Sequence, residues 1–269
     1  MRIRSRVAFT ICALFALTTF GVQQPLRADD ALAAIKARGK MIVGVKADYP
    51  PFGFLDGEHN VGLEIDLLHL MAKDLVGNAD AIEFVPVVSA NRFQYLNTSK
   101  VDFLMATVTI TDTRKKVVDF SAPYMKSGSG IMVKRGNQDI HDAPDLAGKT
   151  VVVVPGSTGE DWMKRANPTA TLLRLPQTAE ALQAVSGGRA DAFVQDLALL
   201  VGLENSAQGA LFKVVGKSYE DAPAGAACRK GDSGPCDYLT KELEKWQKNG
   251  TLKAEYKKWI PVGPARFMP

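Results

Sequence analysis

The sequence has few residues of the kinds that bind metals or form catalytic triads. It contains three histidines and three cysteines in 269 residues. The histidines, His59, His69 and His141, stand singly along the chain. We therefore expect neither a metal site nor a catalytic triad that depends on them.

Long apolar segments are also scarce. The longest is near the start, at residues 7–20, where it follows three arginines and is too short to span a bilayer comfortably. A basic start followed by a short apolar run is typical of a secretory signal peptide, and we predict one over residues 1–28, cut after Ala28. An uncleaved membrane anchor is the alternative. No later segment is apolar enough to cross a membrane, so we predict a soluble protein exported to the periplasm.

Outside residues 1–28, the chain has no excess of basic over acidic residues. The formal net charge of +4 arises in the predicted signal peptide, which has four arginines and no acidic residue. Without these four of the 33 basic residues, the basic residues equal the 29 acidic residues in number. A chain without a basic excess is not expected to bind nucleic acid. About 240 residues remain, enough for one large or two medium domains.

Two cysteines follow the predicted signal peptide, Cys228 and Cys236. They flank a turn that contains glycine, proline and aspartate. In an oxidising compartment such a pair commonly forms a disulfide, and we predict one here. A zinc site is the weaker alternative, since the nearby sequence offers no histidine or further cysteine.

Apolar runs and amphipathic segments alternate along the chain. Short apolar runs such as residues 41–45 and 150–154 are followed by segments with helical spacing. This alternation predicts an α/β fold with a mostly parallel sheet. Glycine-rich segments at residues 126–130 and 223–225 separate two such units, which predicts two lobes with a ligand cleft between them. Ligands of such sheets bind at the carboxyl ends of the strands. The residues at these ends include Lys46, Tyr49, Thr107 and Thr109.

The stretch at residues 107–114 (TVTITDTR) places hydroxyl groups and an arginine after a predicted strand. Thr111 or Asp112 can cap the helix that follows, which puts Arg114 in its first turn. The helix dipole disfavours a cation there. An anion bound between Arg114, the hydroxyls and free backbone N–H groups would explain the placement. The alternative is a solvated arginine on a charged helix face.

Two further segments place polar groups at strand ends. Residues 156–159 (GSTG) put Ser157 and Thr158 at a helix start, which suits a bound anion or an ordinary N-cap. Asp196 follows another strand, where its carboxylate can cap the next helix or receive an ammonium group. Arg114 and Asp196, one from each unit, would suit the two ends of an amino acid.

Several motifs together carry a family resemblance. They are YPPFGF at residues 49–54, VGLEIDL at 61–67, VDFLMATVTITDTR at 101–114, FSAPY at 120–124, GSTG at 156–159 and GRADAFVQD at 188–196. With these motifs in order, the chain resembles the type II periplasmic amino-acid-binding proteins of ABC importers. The resemblance implies two α/β lobes, each a mostly parallel sheet flanked by helices. Lobe I would comprise residues 29–126 and 226–269, and lobe II residues 127–225.

The resemblance also implies a function. The protein would be a monomeric binding protein rather than an enzyme, would need no cofactor, and would deliver an amino acid to a membrane permease. Asp196 would bind the α-ammonium group together with Thr109, and Tyr49 would form an aromatic wall, whereas Phe52 would belong to the core. The residues expected at the α-carboxylate are Arg114, Thr107, Thr109 and Thr158.

Two cations guide the expected ligand specificity. Lys46 stands where the family branch that binds basic amino acids has a carboxylate, and Arg92 resembles the branch that binds glutamate and aspartate. Such cations would pair with a side-chain carboxylate and would remain unpaired with a basic or apolar ligand. We expect glutamate or aspartate, with glutamine or another polar amino acid as the alternative. An alternative from another class is a dehydratase for a prephenate-like acid, which would need a general acid or base in the cleft.

Overall fold

The computed structural model describes residues 30–261 and 267–269. The predicted signal peptide lies outside the described residues. Within those residues, every helix is too short or too polar to cross a membrane. In chain order the strands are β1 (Met41–Val45), β2 (Asp48–Tyr49), β3 (Gly53–Asp56), β4 (His59–Val61), β5 (Ile82–Pro86), β6 (Phe103–Thr109), β7 (Val118–Phe120), β8 (Met125–Lys134), β9 (Thr150–Val153), β10 (Thr171–Arg174), β11 (Ala192–Asp196) and β12 (Phe212–Arg229). The α-helices are α1 (Asp30–Arg38), α2 (Leu63–Val76), α3 (Arg92–Asn97), α4 (Asp112–Lys115), α5 (Thr158–Ala166), α6 (Thr178–Ser186), α7 (Leu197–Glu204), α8 (Gly234–Lys248) and α9 (Thr251–Trp259).

The described strands form one sheet of nine strands and a small antiparallel sheet, β2-β3-β4. The order in the large sheet is β10-β9-β11-β8-β12-β6-β1-β5, and β7 pairs with β12. β5, β1 and β6 run parallel, and so do β10, β9 and β11. Between these two parallel parts lie β8 and β12, which are antiparallel to each other. The predicted α/β fold with two lobes is confirmed.

Both glycine-containing segments between the two predicted units lie in strands that join the lobes. Residues 126–130 belong to β8. Residues 223–225 belong to β12, which continues to Arg229. The glycines permit close packing, since a Cβ on Gly130 would lie 2.9 Å from Cδ1 of Leu197. The predicted lobe boundaries fall within β8 and β12 and stay a prediction.

Helix α2 shows how the helices cover the sheet. Its buried residues include Leu63, Leu67 and Met71, which recur at helical spacing and belong to the largest apolar cluster. Gly77 ends the helix in the left-handed conformation, which glycine adopts without steric cost. Phe52 is buried in the same cluster, so its predicted core position is confirmed.

The predicted disulfide between Cys228 and Cys236 is present. It connects the end of β12 with the first turn of α8, and both cysteines are buried. Because a zinc ligand must be a thiolate, this bond is incompatible with the zinc alternative. The disulfide therefore fixes the C-terminal helices to the sheet.

Removing this disulfide should lower the free energy of unfolding by about 2–3 kcal/mol, because the cross-link closes a short loop in the unfolded chain. The test compares urea unfolding of the wild type and the C228S/C236S variant, both without residues 1–28. As a check on the oxidised state, denatured and unreduced wild type should show no free thiol. Two thiols per chain would contradict the disulfide.

Candidate functional site

The residues that the sequence marks as candidates meet where the two lobes face each other. The hydroxyl of Tyr49 donates a hydrogen bond of 2.6 Å to Oδ2 of Asp196, and the Oγ1 atoms of Thr109 and Thr158 lie 3.5 Å apart. Tyr49 lies on β2 of the small sheet and Thr109 ends β6, whereas Asp196 ends β11 and Thr158 begins α5, so both contacts join one side of the cleft to the other. The candidates on the β6 side are Lys46, Tyr49, Arg92, Thr107, Thr109 and Arg114, and those on the β11 side are Thr158 and Asp196.

A cavity of about 440 Å³ lies in this cleft. Thr109, Arg114, Thr158 and Asp196 are among its lining residues. These four bring hydroxyl groups, a guanidinium and a carboxylate to one small space. The other candidates are buried outside this lining, namely Lys46, Tyr49, Arg92 and Thr107.

Sequence reasoning missed several charged residues at the cavity wall. Asp161, Arg165, Glu220 and Asp221 also line it, and Arg165 forms a 2.6 Å ion pair with Glu220. None of them falls in a motif that marks a ligand site. Glu220 and Asp221 lie where the register of β12 against β8 is irregular, which the sequence pattern did not reveal. In the part of the chain that is described, no cluster of three or more potential metal ligands occurs.

Arg114 is held in the cleft by backbone carbonyl groups. Its Nη1 donates to the Thr109 carbonyl at 2.9 Å, and its Nη2 donates to the Gly156 carbonyl at 3.1 Å. Thr111 caps α4 by accepting a hydrogen bond from the Arg114 N–H, as the sequence predicts. Burial lowers the pKa of Arg114, which nevertheless stays a cation at neutral pH. The guanidinium is therefore oriented toward the cavity rather than free in solvent.

Asp196 is a buried carboxylate with a specific partner. It precedes α7, but its side chain accepts the hydrogen bond of Tyr49 instead of capping that helix. Burial raises the pKa of Asp196, while the Tyr49 hydrogen bond and the nearby Arg92 act in the opposite direction. The N-cap alternative for this side chain is wrong, and the carboxylate faces the cavity.

The helix α5 begins with a division of roles between two hydroxyls. Ser157 accepts a hydrogen bond of 3.1 Å from the Glu160 N–H and so caps the helix. Thr158, one residue later, lines the cavity. The N-cap alternative is therefore right for Ser157, and it leaves the Thr158 hydroxyl available to the cleft.

Lys46 and Arg92 are two buried cations behind the cavity. Nζ of Lys46 donates to Oγ of Ser89 at 3.1 Å, and Nη1 of Arg92 donates to the Ala106 carbonyl at 2.8 Å. Burial, assisted by the charge of Arg92, lowers the pKa of Lys46 to about 8. Burial and the charge of Arg114 lower the pKa of Arg92 to about 10. Both cations are thus costly to bury and only partly compensated by neutral oxygen atoms.

Glu64 is a further buried charge that sequence reasoning missed. Its Oε1 accepts hydrogen bonds from the Thr107 N–H at 2.7 Å and from the Tyr124 hydroxyl. Thr107 has a φ of 47°, an uncommon left-handed conformation for a β-branched residue. One signal was available: Glu64 falls on the apolar stripe of α2, four residues before the buried Leu68.

The segment that contains Tyr49 makes two more contacts between the lobes. Oδ2 of Asp48 accepts a 2.9 Å hydrogen bond from the N–H of Thr178, the first residue of α6. Pro51 packs against α7 at Gly202, where a Cβ would lie 2.5 Å from Cδ of Pro51. The sequence analysis gave Asp48 no role. The structure shows that it joins the lobes.

Comparison with known proteins gives a family and several relatives. The model of the family described as "Bacterial extracellular solute-binding proteins, family 3" matches residues 41–262. The glutamine-binding protein GlnH of Bacillus subtilis is 36% identical over 88% of this chain and 86% of its own. The L-cystine-binding protein TcyJ of Escherichia coli is 32% identical over 87% of each chain.

A solved structure and a more distant relative complete the comparison. A solute receptor for L-cysteine from Neisseria gonorrhoeae superposes with a TM-score of 0.83 at 32% identity, over 88% of this chain and 99% of that one. The glutamate/aspartate import protein of Salmonella typhimurium is 27% identical over 88% of this chain and 82% of its own. The glutamate/aspartate branch that the sequence motifs suggested is therefore only distantly supported.

The buried Lys46 should make stability depend on pH. Its pKa in the folded protein, about 8, is below the ordinary lysine value of 10.5. Between these values the unfolded chain binds more protons, so this contribution to the free energy of unfolding rises with pH, by up to about 3 kcal/mol. Lys46→Met should therefore be stabilising relative to wild type at pH 7.5, and this difference should shrink toward pH 10.5.

The measurement is urea unfolding of ligand-stripped protein at pH 7.5, 9 and 10.5. Lys40→Met is the matched control, because Lys40 is solvent-exposed and forms a surface ion pair with Glu83. If the free energy of unfolding had the same pH dependence in both variants, the lowered pKa of Lys46 would be contradicted.

Proposed function

The chain belongs to family 3 of the bacterial extracellular solute-binding proteins, and on that premise we propose that it captures one polar amino acid, glutamine being the first candidate, for import by an ABC permease. The observation that carries the proposal is the pairing of Arg114 with Asp196 at one small cavity. A guanidinium and a carboxylate that line one small cavity suit the two charged groups of an α-amino acid. A cleft of this size suits a small ligand.

Arg114 would bind the α-carboxylate. Its two Nη atoms already donate to carbonyl groups, which fixes the plane of the guanidinium before a ligand arrives. The hydroxyls of Thr109 and Thr158 face each other across the cleft and would add donors from both lobes. Thr107 would act only indirectly, by supporting the strand that carries Thr109, because its side chain is buried outside the cavity lining and its N–H already donates to Glu64.

Asp196 would bind the α-ammonium group. One of its oxygen atoms accepts from Tyr49, and a carboxylate can accept further hydrogen bonds. Tyr49 would therefore orient the carboxylate as well as form an aromatic wall behind the ligand. This role differs from the purely apolar contact that the resemblance implied.

The side-chain specificity is where the proposal departs from the sequence-based expectation. Relatives named for glutamine and cystine cover most of this chain at higher identity than the relative named for glutamate and aspartate. Lys46 already donates to Ser89, and Arg92 donates to the Ala106 carbonyl. Glu64 also offsets part of their charge. These observations favour a neutral polar side chain over an acidic one.

Glutamate remains a second candidate on one specific observation. On this side of the site, Lys46 and Arg92 are two buried cations, and Glu64 is a single buried carboxylate. A ligand carboxylate would complete the balance of charge. The binding experiment below separates the two ligands.

The remaining elements of the proposal concern motion and partners. Residues 29–126 with 226–269 and residues 127–225 would move as two lobes about the β8–β12 pair, closing on the ligand. The closed form would be recognised by the membrane permease. The protein would act as a monomer outside the cytoplasm, after removal of residues 1–28.

A thermal-shift screen of refolded, ligand-stripped protein against all amino acids tests the function. A ligand at 100 times its dissociation constant should add about 2.7 kcal/mol of stability, a shift that is easily measured. We expect the largest shift with glutamine. A larger shift with glutamate would select the second candidate, and one with cystine alone would keep the binding function with a different specificity. No shift with any amino acid would refute the proposal.

Arg114→Lys should weaken binding of the ligand found in that screen by at least tenfold, because a lysine cannot reproduce the planar fork that binds a carboxylate with two hydrogen bonds. Titration calorimetry provides the measurement. Arg135→Lys is the matched control, since Arg135 lies in the loop after β8 and donates to the Ala210 carbonyl away from the cleft. Wild-type affinity in the Arg114 variant would disprove the carboxylate clamp.

A further inference from the structure

Glu64 is the buried charge that the proposed ligand contacts leave unexplained. Its side chain is fully buried on the sheet-facing side of α2, among leucines. A carboxylate in such a place is costly unless its partners compensate for the lost water. Oε1 has two hydrogen-bond donors, Thr107 and Tyr124, whereas Oε2 is buried without a hydrogen-bond partner among the described residues. Packing alone would be better served by an apolar residue.

Two buried cations, Lys46 and Arg92, interact electrostatically with Glu64. The backbone at Gly53 lies between Lys46 and Oε2, since a Cβ on Gly53 would lie 3.5 Å from Oε2 and 3.4 Å from the Cβ of Lys46. Glu64 raises the pKa of Lys46, against the dominant effect of burial. Burial raises the pKa of Glu64 to about 7, while the hydrogen bonds from Tyr124 and Thr107, and after them the charges of Lys46 and Arg92, oppose that change.

The other titratable groups near Glu64 are phenols. Tyr124 donates to Glu64, and its pKa is raised by burial. Tyr256, on α9, donates to the Tyr124 carbonyl at 2.5 Å, and its pKa is likewise raised by burial. Both phenols are neutral at physiological pH.

Two further carboxylates act on the same cations: Asp48 and Asp196 raise the pKa of Lys46, and Asp196 raises that of Arg92. Glu64 therefore shares the compensation of Lys46 and Arg92 with these two residues.

Glu64 is also connected to the cleft through the backbone of Thr107. It holds the Thr107 N–H, while Nη1 of Arg92 lies 3.4 Å from the Thr107 carbonyl oxygen. The N–H and the carbonyl of Thr107, a residue in the left-handed conformation, are thus bound by side chains of opposite charge. Thr107 and Thr109 belong to the same strand, and Thr109 lines the cavity.

We infer that Glu64 is a positioning residue that sets the charge preference of the cleft: it fixes the backbone at Thr107 and offsets Lys46 and Arg92, so that a neutral side chain is accepted beside them. The inference rests on the proposed function. Glu64 lies outside the cavity lining, so it acts through these three residues rather than by touching the ligand. Loss of its charge should turn the site toward acidic ligands.

The test is Glu64→Gln, which keeps an oxygen acceptor for Thr107 and Tyr124 and removes the charge. Dissociation constants for glutamine and glutamate are measured by calorimetry at pH 7.5 for the wild type and the variant. The affinity for glutamate relative to glutamine should rise about tenfold. Glu83→Gln, which removes one exposed charge on β5, is the matched control and should leave this ratio unchanged.

The outcomes separate the inference from the function on which it rests. Equal weakening of both ligands, with an unchanged ratio, would mean that Glu64 is merely structural and would overturn the inference while the binding function stands. A wild type that binds neither glutamine nor glutamate would overturn the inference, and one that binds no amino acid in the thermal-shift screen would overturn the proposed function as well. If the variant does not fold, the wild type alone decides: its preference for glutamate should be greater at pH 5.5 than at pH 7, a range in which Lys46, with a pKa of about 8, stays mostly protonated while Glu64, with a pKa of about 7, changes charge. A ratio independent of pH over this range would overturn the inference.

Discussion

The pairing of β8 with β12 is the constraint on which the rest of the structure depends. β8 also pairs with β11, and β12 also pairs with β6, so the strands that carry Asp196 and Thr109 are held on opposite sides of one antiparallel pair. Polar groups from both lobes therefore face each other at the same end of these strands. Relative movement of the lobes has to bend this pair rather than separate it, which keeps the two halves of the site in register.

The site consists largely of buried charged side chains, and burying them lowers the stability of the folded protein. The cations at Arg114, Arg92 and Lys46 are each oriented by carbonyl or hydroxyl oxygen atoms, and the carboxylates of Glu64 and Asp196 by phenol or amide donors. Well-packed apolar residues in place of these charged groups would make the folded protein more stable. Their presence is understandable where recognition of a charged or strongly polar molecule requires preorganised partners.

Much of the fold and of the cleft could be predicted from the sequence, because local signals agree with the tertiary structure there. The alternation of strands and helices, the cap at Thr111, the Cys228–Cys236 bond and the lining by Arg114 all follow from short-range patterns. The glycine-rich segment between the two units was visible in the sequence, but its strand conformation was not, since close packing between distant segments can require glycine as readily as a turn does. The side chain of the ligand could not be predicted from the two visible cations alone, because the hydrogen bonds of Lys46 and Arg92 and their interaction with the buried Glu64 arise only in the tertiary structure.

The hydrogen bond between Asp48 and Thr178, the first residue of α6, suggests how opening and closing of the lobes can be observed. It joins a carboxylate of one lobe to the N–H of Thr178 at the positive end of a helix in the other. The amide proton of Thr178 is protected by a partner that belongs to the opposite lobe, so its exchange with solvent deuterium is tied to separation of the lobes. The exchange rate of this one amide proton would thus report how often the lobes open, and it can be measured without attaching a probe to the protein.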